Sequence, residues 1–329
     1  MSARVSVAIA TYNRASMVRE SVQAALTQEL FATEICVADD ASSDHTWSAL
    51  TALAQNPRVR IFRQEKNTGG VENWNFAIRQ TTGDYIAWCS DDDRYLPGHL
   101  DASIAFLEAH PQIGMVHSGF IDAVETPAGV ETIPRPLRFA ATAVLDRGSL
   151  LRYLTRYYDW PFHPSTIVMR RSVWNAVGPF DAAYALADTD WFVRAVERFP
   201  VAMLARHGVL NRRHPGNWSN RLGSARMQRE IFEIVEAAIT RLLPRRPVSR
   251  VLWRAIWRAN VRSHLLLTLR ARLSTFHAEA ACAVWRQLLE GTGLRLPGPF
   301  LRWGDTLICR WCARHVSAFE DARQSVSPL

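Results

Sequence analysis

Cysteine is scarce in this chain, and long apolar runs are missing. Five cysteines in 329 residues, odd in number and scattered, exclude a disulfide framework. Cys309 and Cys312 form a CxxC on a segment with helical spacing, but no second pair exists. Zinc or redox chemistry is therefore not expected. No apolar stretch approaches the roughly 18–20 residues that cross a bilayer. The longest candidate, Leu265 to Leu269, is bounded by His264 and Arg270. A basic, long-apolar, cleavable leader is absent ahead of the strand-like Val5-Ser6-Val7-Ala8-Ile9, so a cytoplasmic protein is expected. No GxGxxG follows that first strand, which argues against a dinucleotide oxidoreductase. A Gly-rich, Lys- or Arg-containing loop for a triphosphate is missing at the same place, which argues against a nucleotidyltransferase.

Lysine is absent from residues 223–329, where 17 Arg face 8 acidic residues for a charge of +9. Residues 1–222 balance near neutrality, so the net charge of +8 belongs to the C-terminal third. Two regions are expected: 1–222, and a basic, Arg/Trp-rich region over 223–329. Hydrophobic content of 48% and charged content of 21% are those of a globular protein.

The first half alternates strand and helix patterns. Val5–Ala10, Glu34–Ala38, Val59–Phe62 and Asp84–Cys89 read as strands. Between them, Val18, Val22, Ala25 and Leu26, then Trp47, Leu50 and Leu53, then Trp74, Ala77 and Ile78 recur at helical spacing. This order predicts an α/β fold with a doubly wound, mostly parallel sheet and right-handed crossovers. Further strands are expected at 115–121, 166–169 and 201–210, with a hairpin or loop over 124–145. Helices are expected at 148–158 and 188–199. Beyond Gly223 the pattern is all helix, at about 224–242, 249–271, 273–290 and 299–320, an all-helical C-terminal extension.

Ligands of such a sheet sit beyond the carboxyl ends of its strands. Thr11-Tyr12-Asn13, Asp39-Asp40 and Asp91-Asp92-Asp93 all fall at such ends. Three adjacent carboxylates repel one another unless a cation sits among them, and carboxylate oxygens suit Mg²⁺ or Mn²⁺. Such an ion would attract a diphosphate, which points to a nucleotide-linked substrate. A short acidic run is otherwise an ordinary solvated turn.

Over residues 4–218 the sequence resembles family 2 glycosyltransferases of the GT-A fold. The resemblance rests on seven motifs in order. They are Val5 to Arg14, Val37 to Thr46, Asn67-Thr68-Gly69-Gly70 with Asn73 and Asn75, and Gly83 to Ile86 leading into Ser90-Asp91-Asp92-Asp93 and Pro97. Val177 to Asp181, Asp188 to Arg194, and Arg213 to Ser219 complete the set. It implies single-displacement, inverting transfer from a nucleoside-diphosphate sugar to a glycan or lipid-linked acceptor. A role in cell-surface polysaccharide or lipopolysaccharide synthesis would follow. No Gln-x-x-Arg-Trp is present, which implies a non-processive enzyme.

The resemblance also implies site roles. Thr11, Tyr12, Asn13, Arg14, Asp39, Asp40, Asn67, Gly69, Asn75 and Asp91 would line the nucleotide, with Asp40 accepting from the base. Asp92, Asp93 and His214 would hold Mg²⁺ or Mn²⁺, with Arg212 and Arg213 near the phosphates. Asp188 would be the base for the acceptor hydroxyl, with Asp190 as the alternative. Asp188 could equally cap a helix, and so could Asn13. His163-Pro164-Ser165 lies where the donor pocket is expected. Two departures stand out: Ser90 opens the acidic, DXD-like motif where Asp is usual, and Ala187 precedes Asp188 where Glu is usual. They keep a non-catalytic nucleotide- or glycan-binding relative as the alternative. The Arg/Trp pairs of the tail fit either the core of a helical subdomain or a surface lying on anionic lipid at the inner face of the cell membrane. No nucleic-acid motif is present, so no nucleic-acid partner is expected.

Overall fold

The computed structural model describes residues 4–28, 32–126, 129–135, 137, 142–156, 163–217, 224–246 and 248–257. The helices expected beyond residue 257 and the Cys309–Cys312 pair lie outside the described residues. The chain divides into two compact units: Met1–Tyr153 with Asp159–Asn220, and Leu154–Tyr158 with Arg221–Leu329.

The first unit opens with β1 (Arg4–Thr11), α1 (Ala15–Leu26), β2 (Ala32–Asp39), α2 (Thr46–Leu53), β3 (Val59–Arg63), α3 (Gly70–Arg79) and β4 (Tyr85–Trp88). The strands pair in parallel in the order β3-β2-β1-β4. Each parallel step needs a crossover, and α1, α2 and α3 supply them. β1 is buried on both faces from Val5 to Thr11, as a strand covered by helices on either side must be. Val18, Val22 and Ala25 of α1 sit at helical spacing in the same core as Val5, Val7, Ile9, Ile35 and Val37. At the opposite end of β1, Gly83 leaves no room for a side chain. A Cβ there would lie 2.7 Å from the Arg4 carbonyl and from Ser6 Oγ.

The sheet then becomes mixed. The remaining elements are β5 (Arg94–Tyr95), α4 (His99–Ala109), β6 (Met115–Thr126), β7 (Gly129–Pro134), β8 (Ala143–Leu145) and α5 (Arg147–Arg156). After them come β9 (Ile167–Arg170), α6 (Arg171–Val177), α7 (Ala187–Val196) and β10 (Val201–Arg213). The ten-stranded sheet continues β4-β9-β6-β10-β5, with β7 on β6 and β8 on β10. β9 runs antiparallel to both β4 and β6, while β6 and β10 are parallel. The parallel run expected from the alternating pattern is thus the β3-β2-β1-β4 half. β10 also runs to Arg213 rather than ending near Leu210, because Asn211, Arg212 and Arg213 pair with Asp122, Ala123 and Val124.

In the second unit, α8 (Ser224–Leu242) buries Ile234, Val235, Ala238 and Ile239 on one face. Residues 248–257 form a further helix whose Trp257 stacks on Phe232 at 6.3 Å. Arg254 Nε reaches Glu236 Oε2 at 2.7 Å.

Candidate functional site

The ends of β1, β2 and β4 lie side by side. Thr11 is in register with Asp39, and the Cys89 N–H donates to the Ala8 carbonyl at 3.1 Å. Two turns leave this edge through left-handed residues, Asn13 at φ 52° and Ala41 at φ 57°. Asn13 tolerates that conformation because its side chain bonds locally. Its Oδ1 accepts the Ser43 N–H at 2.8 Å, and its own N–H donates to Ser42 Oγ at 2.8 Å. Asn73, on α3, donates to the Ala38 carbonyl at 2.9 Å and to the Thr11 carbonyl at 3.3 Å, which closes the gap between the two strand ends.

Asp39 and Asp40 are held by main-chain donors. Asp39 accepts the Ser42 N–H through both oxygens and faces Arg63 Nε at 3.3 Å. Asp40 accepts Thr68 N–H at 2.8 Å, Thr68 Oγ1–H at 2.9 Å and Gly69 N–H at 2.9 Å. Gly69 precedes α3 at φ 90°, a conformation that glycine adopts without strain. Asn67 Oδ1 accepts the same Gly69 N–H at 3.2 Å. Asn75, expected at the nucleotide, faces elsewhere. Its amide exchanges two bonds with the Phe180 main chain, at 3.0 and 2.9 Å, and so pins the 178–181 turn to α3. Residues 73 and 75 project from opposite sides of a helix, so only Asn73 reaches the strand ends.

The acidic run after β4 splits its three carboxylates. Asp91 Oδ2 accepts Thr11 Oγ1–H at 2.7 Å, and Asp91 Oδ1 lies 2.7 Å from Arg14 Nη1. The same nitrogen is 2.6 Å from Asp92 Oδ2, which also faces His214 Nε2 and Asn217 Nδ2, each at 3.1 Å. Arg14 Nη2 continues to the Gly216 carbonyl at 2.9 Å. Asp93 turns the other way. It accepts Ser165 Oγ–H at 2.5 Å and the Arg212 N–H at 3.3 Å, and sits 3.6 Å from His163 Nε2. Burial and the repulsion of Asp92 push the Asp91 and Asp93 carboxyls up from their ordinary range. Burial pulls the Arg14 guanidinium down, but Asp91 and Asp92 outweigh it and the net shift is upward. Tyr12, 43% exposed, stands at the rim. Arg212 pairs with Glu20, and Arg213 reaches Asp122 Oδ1 at 3.2 Å.

α7 brings two further carboxylates, and their roles diverge. Asp190 Oδ2 is 2.7 Å from Arg194 Nε, and Arg194 also holds the Val177 and Pro179 carbonyls, so Asp190 braces a turn. Asp188 Oδ1 accepts the Thr189 N–H at 2.7 Å, and burial raises its pKa. Burial lowers His163 to about 4, so the ring is neutral near pH 7, and its Nδ1 is buried without a hydrogen-bond partner. His163, Ser165, Asn217 and the Gly216 carbonyl join the expected residues here. In the sequence, His163 and Ser165 stood out only by their place beside the expected donor pocket, and Gly216 and Asn217 only as members of the Arg213 to Ser219 motif.

Asp92 Oδ2 and His214 Nε2 pass a simple test for a shared cation. Two ligands at right angles, each about 2.1 Å from one octahedral ion, stand about 3.0 Å apart, close to the distance seen. Among the described residues, no group of three or more His, Cys, Asp and Glu side chains is arranged to hold a metal unaided. Mg²⁺ and Mn²⁺ sites completed by substrate phosphate and water have this character.

Residues 6–177 match Glycosyl transferase family 2. WfaP of Escherichia coli, a UDP-Glc:alpha-D-GlcNAc-diphosphoundecaprenol beta-1,3-glucosyltransferase, is 26% identical over 165 residues, which span 47% of this chain and 65% of WfaP. Among solved structures, TarS 1-349 of S. aureus in complex with UDP-GlcNAc aligns with a TM-score of 0.60 at 13% identity, covering 88% of this chain and 89% of that one. The mannosyltransferase PcManGT of Pyrobaculum calidifontis, in complex with GDP-Man and Mn²⁺, aligns with a TM-score of 0.54 at 18% identity, covering 89% and 87%. At these identities the structural likeness carries the fold, which is that of GT-A glycosyltransferases.

Proposed function

The chain belongs to glycosyl transferase family 2, and from that premise we propose an inverting, non-processive transferase. It moves one hexosyl or deoxyhexosyl unit from a nucleoside-diphosphate sugar to a glycan or lipid-linked acceptor. The setting is cell-surface polysaccharide or lipopolysaccharide synthesis at the cytoplasmic side of the membrane. Residues 1–222 would be the catalytic domain and 223–329 a basic helical region that rests on anionic lipid. No helix among the described residues is long and apolar enough to cross a membrane. WfaP's lipid-linked acceptor supports this choice of acceptor class.

One observation carries the reading. Asp92 and His214, 122 positions apart, meet at 3.1 Å on the edge where β1, β2 and β4 end. Asp92 and His214 would hold Mg²⁺ or Mn²⁺, which supplies Lewis-acid stabilisation of the departing diphosphate. Asp91, carried toward the edge by Thr11, contacts the ribose or sugar. Thr11, Asn13, Asp39, Asp40 and the Asn67–Gly69 turn shape the wall against the nucleoside. Asp188 takes the proton of the acceptor hydroxyl. Its Oδ1 is tied to Thr189, which leaves Oδ2 for that task, and its raised pKa suits a base.

Release of nucleoside diphosphate from a panel of UDP-, GDP-, CDP- and dTDP-sugars, with Mg²⁺ or Mn²⁺, tests this. One donor should be turned over by wild type and not by Asp188→Asn. Turnover of none, or equal turnover by the variant, overturns it.

A further inference from the structure

Arg14 is positioned where the account above needs a metal. Its Nη1 bonds Asp91 Oδ1 at 2.7 Å and Asp92 Oδ2 at 2.6 Å. Asp92 Oδ2 is also the oxygen that faces His214 Nε2 at 3.1 Å. A divalent ion on Asp92 Oδ2 and His214 Nε2 would compete with Nη1 for one oxygen and repel the guanidinium at contact distance. We propose that Arg14 is the resident cation of the donor-free site. It gives up Asp92 when the ion and a nucleoside diphosphate enter together, so the ion alone is refused. This rests on the reading of Asp92 and His214 as the metal-holding pair.

Three features support the exchange. First, Asp91 and Asp92 are 6% and 8% exposed, and Arg14 Nη1 stands 2.7 and 2.6 Å from one oxygen of each, so a single charged donor bridges two buried carboxylates. A guanidinium presents several N–H donors on one planar, charged group, which suits that bridging place. Second, the Arg14 main chain is anchored independently of its side chain. The Arg14 N–H donates to Thr46 Oγ1 at 2.9 Å, and the residue follows the left-handed Asn13. Movement therefore falls on the side chain alone. Third, Nη2 holds the Gly216 carbonyl at 2.9 Å, within the turn that carries His214 and Asn217. Release of Arg14 removes that bond from the turn, while Asn217 keeps its own bonds to Asp92 and to the Arg212 carbonyl.

A diphosphate makes the exchange favourable. It offers the planar guanidinium of Arg14 a bidentate anionic partner in place of the carboxylates it leaves. A bare ion offers none, and would leave a partly buried guanidinium beside a new dication. The ion and the nucleotide should therefore bind with strong mutual dependence, a coupling that is reciprocal by linkage.

Mn²⁺ binding, read as loss of the free-ion EPR signal, tests the proposal on wild type, Arg14→Met and Arg14→Lys, with and without UDP, GDP, CDP and dTDP. Wild type should bind Mn²⁺ at least tenfold more tightly when its nucleotide is present. Arg14→Met should bind Mn²⁺ alone at least tenfold more tightly than wild type, and Mn²⁺ alone should raise its Tm. Arg14→Lys, whose single ammonium cannot span two carboxylates and a carbonyl, should fall between them. It carries the test if the Met variant does not fold. Equal affinity of wild type and the variants for Mn²⁺ alone overturns the role of Arg14 and leaves the metal site standing. Failure of every form to take up Mn²⁺, with any of the nucleotides, overturns the metal site and this proposal with it.

Discussion

Two acidic pairs stand at neighbouring strand ends, and they are satisfied in different ways. Asp39 and Asp40, after β2, accept mainly from N–H groups of Ser42, Thr68 and Gly69. Asp91 and Asp92, after β4, accept from the side chains of Thr11, Arg14, His214 and Asn217. A carboxylate tied to main-chain donors shapes a loop and cannot leave without unfolding it. A carboxylate tied to side-chain cations can exchange them for another cation. A similar contrast stands on α7, where Asp190 is locked to Arg194 and, among the described residues, Asp188 bonds through Oδ1 to Thr189 alone. Identical residue types thus divide into architecture and chemistry according to what satisfies them.

The sharpest break in that comparison comes from neutralising one member of each pair. Asp92→Asn should lower transfer by about 10³-fold or more, since metal stabilisation of the leaving group is worth several kcal/mol. Steady-state release of nucleoside diphosphate measures it, and an activity within tenfold of wild type would place Asp92 with the architectural pair. Asp188→Asn should cost about 10²–10⁴-fold in kcat with nucleotide-induced stabilisation unchanged. Asp190→Asn should instead keep the chemistry of the base and lose about 2 kcal/mol of stability, through the charge-assisted bond to Arg194. Chemical denaturation of the two α7 variants separates them.

Asp40→Ala should act on stability first. It removes three hydrogen bonds, leaving Gly69 N–H only its longer bond to Asn67, and should cost about 2–3 kcal/mol, at about 1 kcal/mol net for each bond. A loss below 0.5 kcal/mol, on the order of a surface substitution, would show that the 67–69 turn does not depend on it.

A further expected effect is on pH dependence. Burial holds His99 down to about 3. A histidine lowered on folding leaves the unfolded chain with more protons below its ordinary pKa of about 6.5. The cost of keeping His99 neutral is therefore absent above that pH and grows as pH falls from about 6.5 toward 3. The Tm of wild type should fall relative to that of His99→Asn over pH 6.5 to 4.5, by up to about 1.4 kcal/mol equivalent per pH unit. A constant difference across that window would show that His99 is not held neutral.

The sequence made β1, β2, β4 and their crossover helices legible because each buries one continuous apolar face or run, which periodicity reports directly. β9 was legible as a strand but not in direction, since an apolar run of four residues reads the same both ways. The length of β10 was hidden because Asn211, Arg212 and Arg213 are polar. They belong to the strand through pairing with β6, not through burial. At the site, motif position brought forward Thr11, Arg14, Asp92 and His214. It also brought forward Asn75, which shares a motif with Asn73 but not a helix face. The division between loop-holding and cation-holding carboxylates could not be read in advance, because for Asp40, Asp91 and Asp92 it depends on partners 28 to 125 positions away.

The measurement that goes most directly to the centre is a thermal-shift panel of UDP, GDP, CDP and dTDP, each with and without Mn²⁺, on wild type and Asp92→Asn. One nucleotide should raise the wild-type Tm by about 5 °C or more at a hundredfold excess over Kd. The shift should require Mn²⁺ and be absent in Asp92→Asn. No shift with any nucleotide, or an equal shift in the variant, would contradict a metal–diphosphate site at Asp92 and leave the acidic run as a turn held by Arg14.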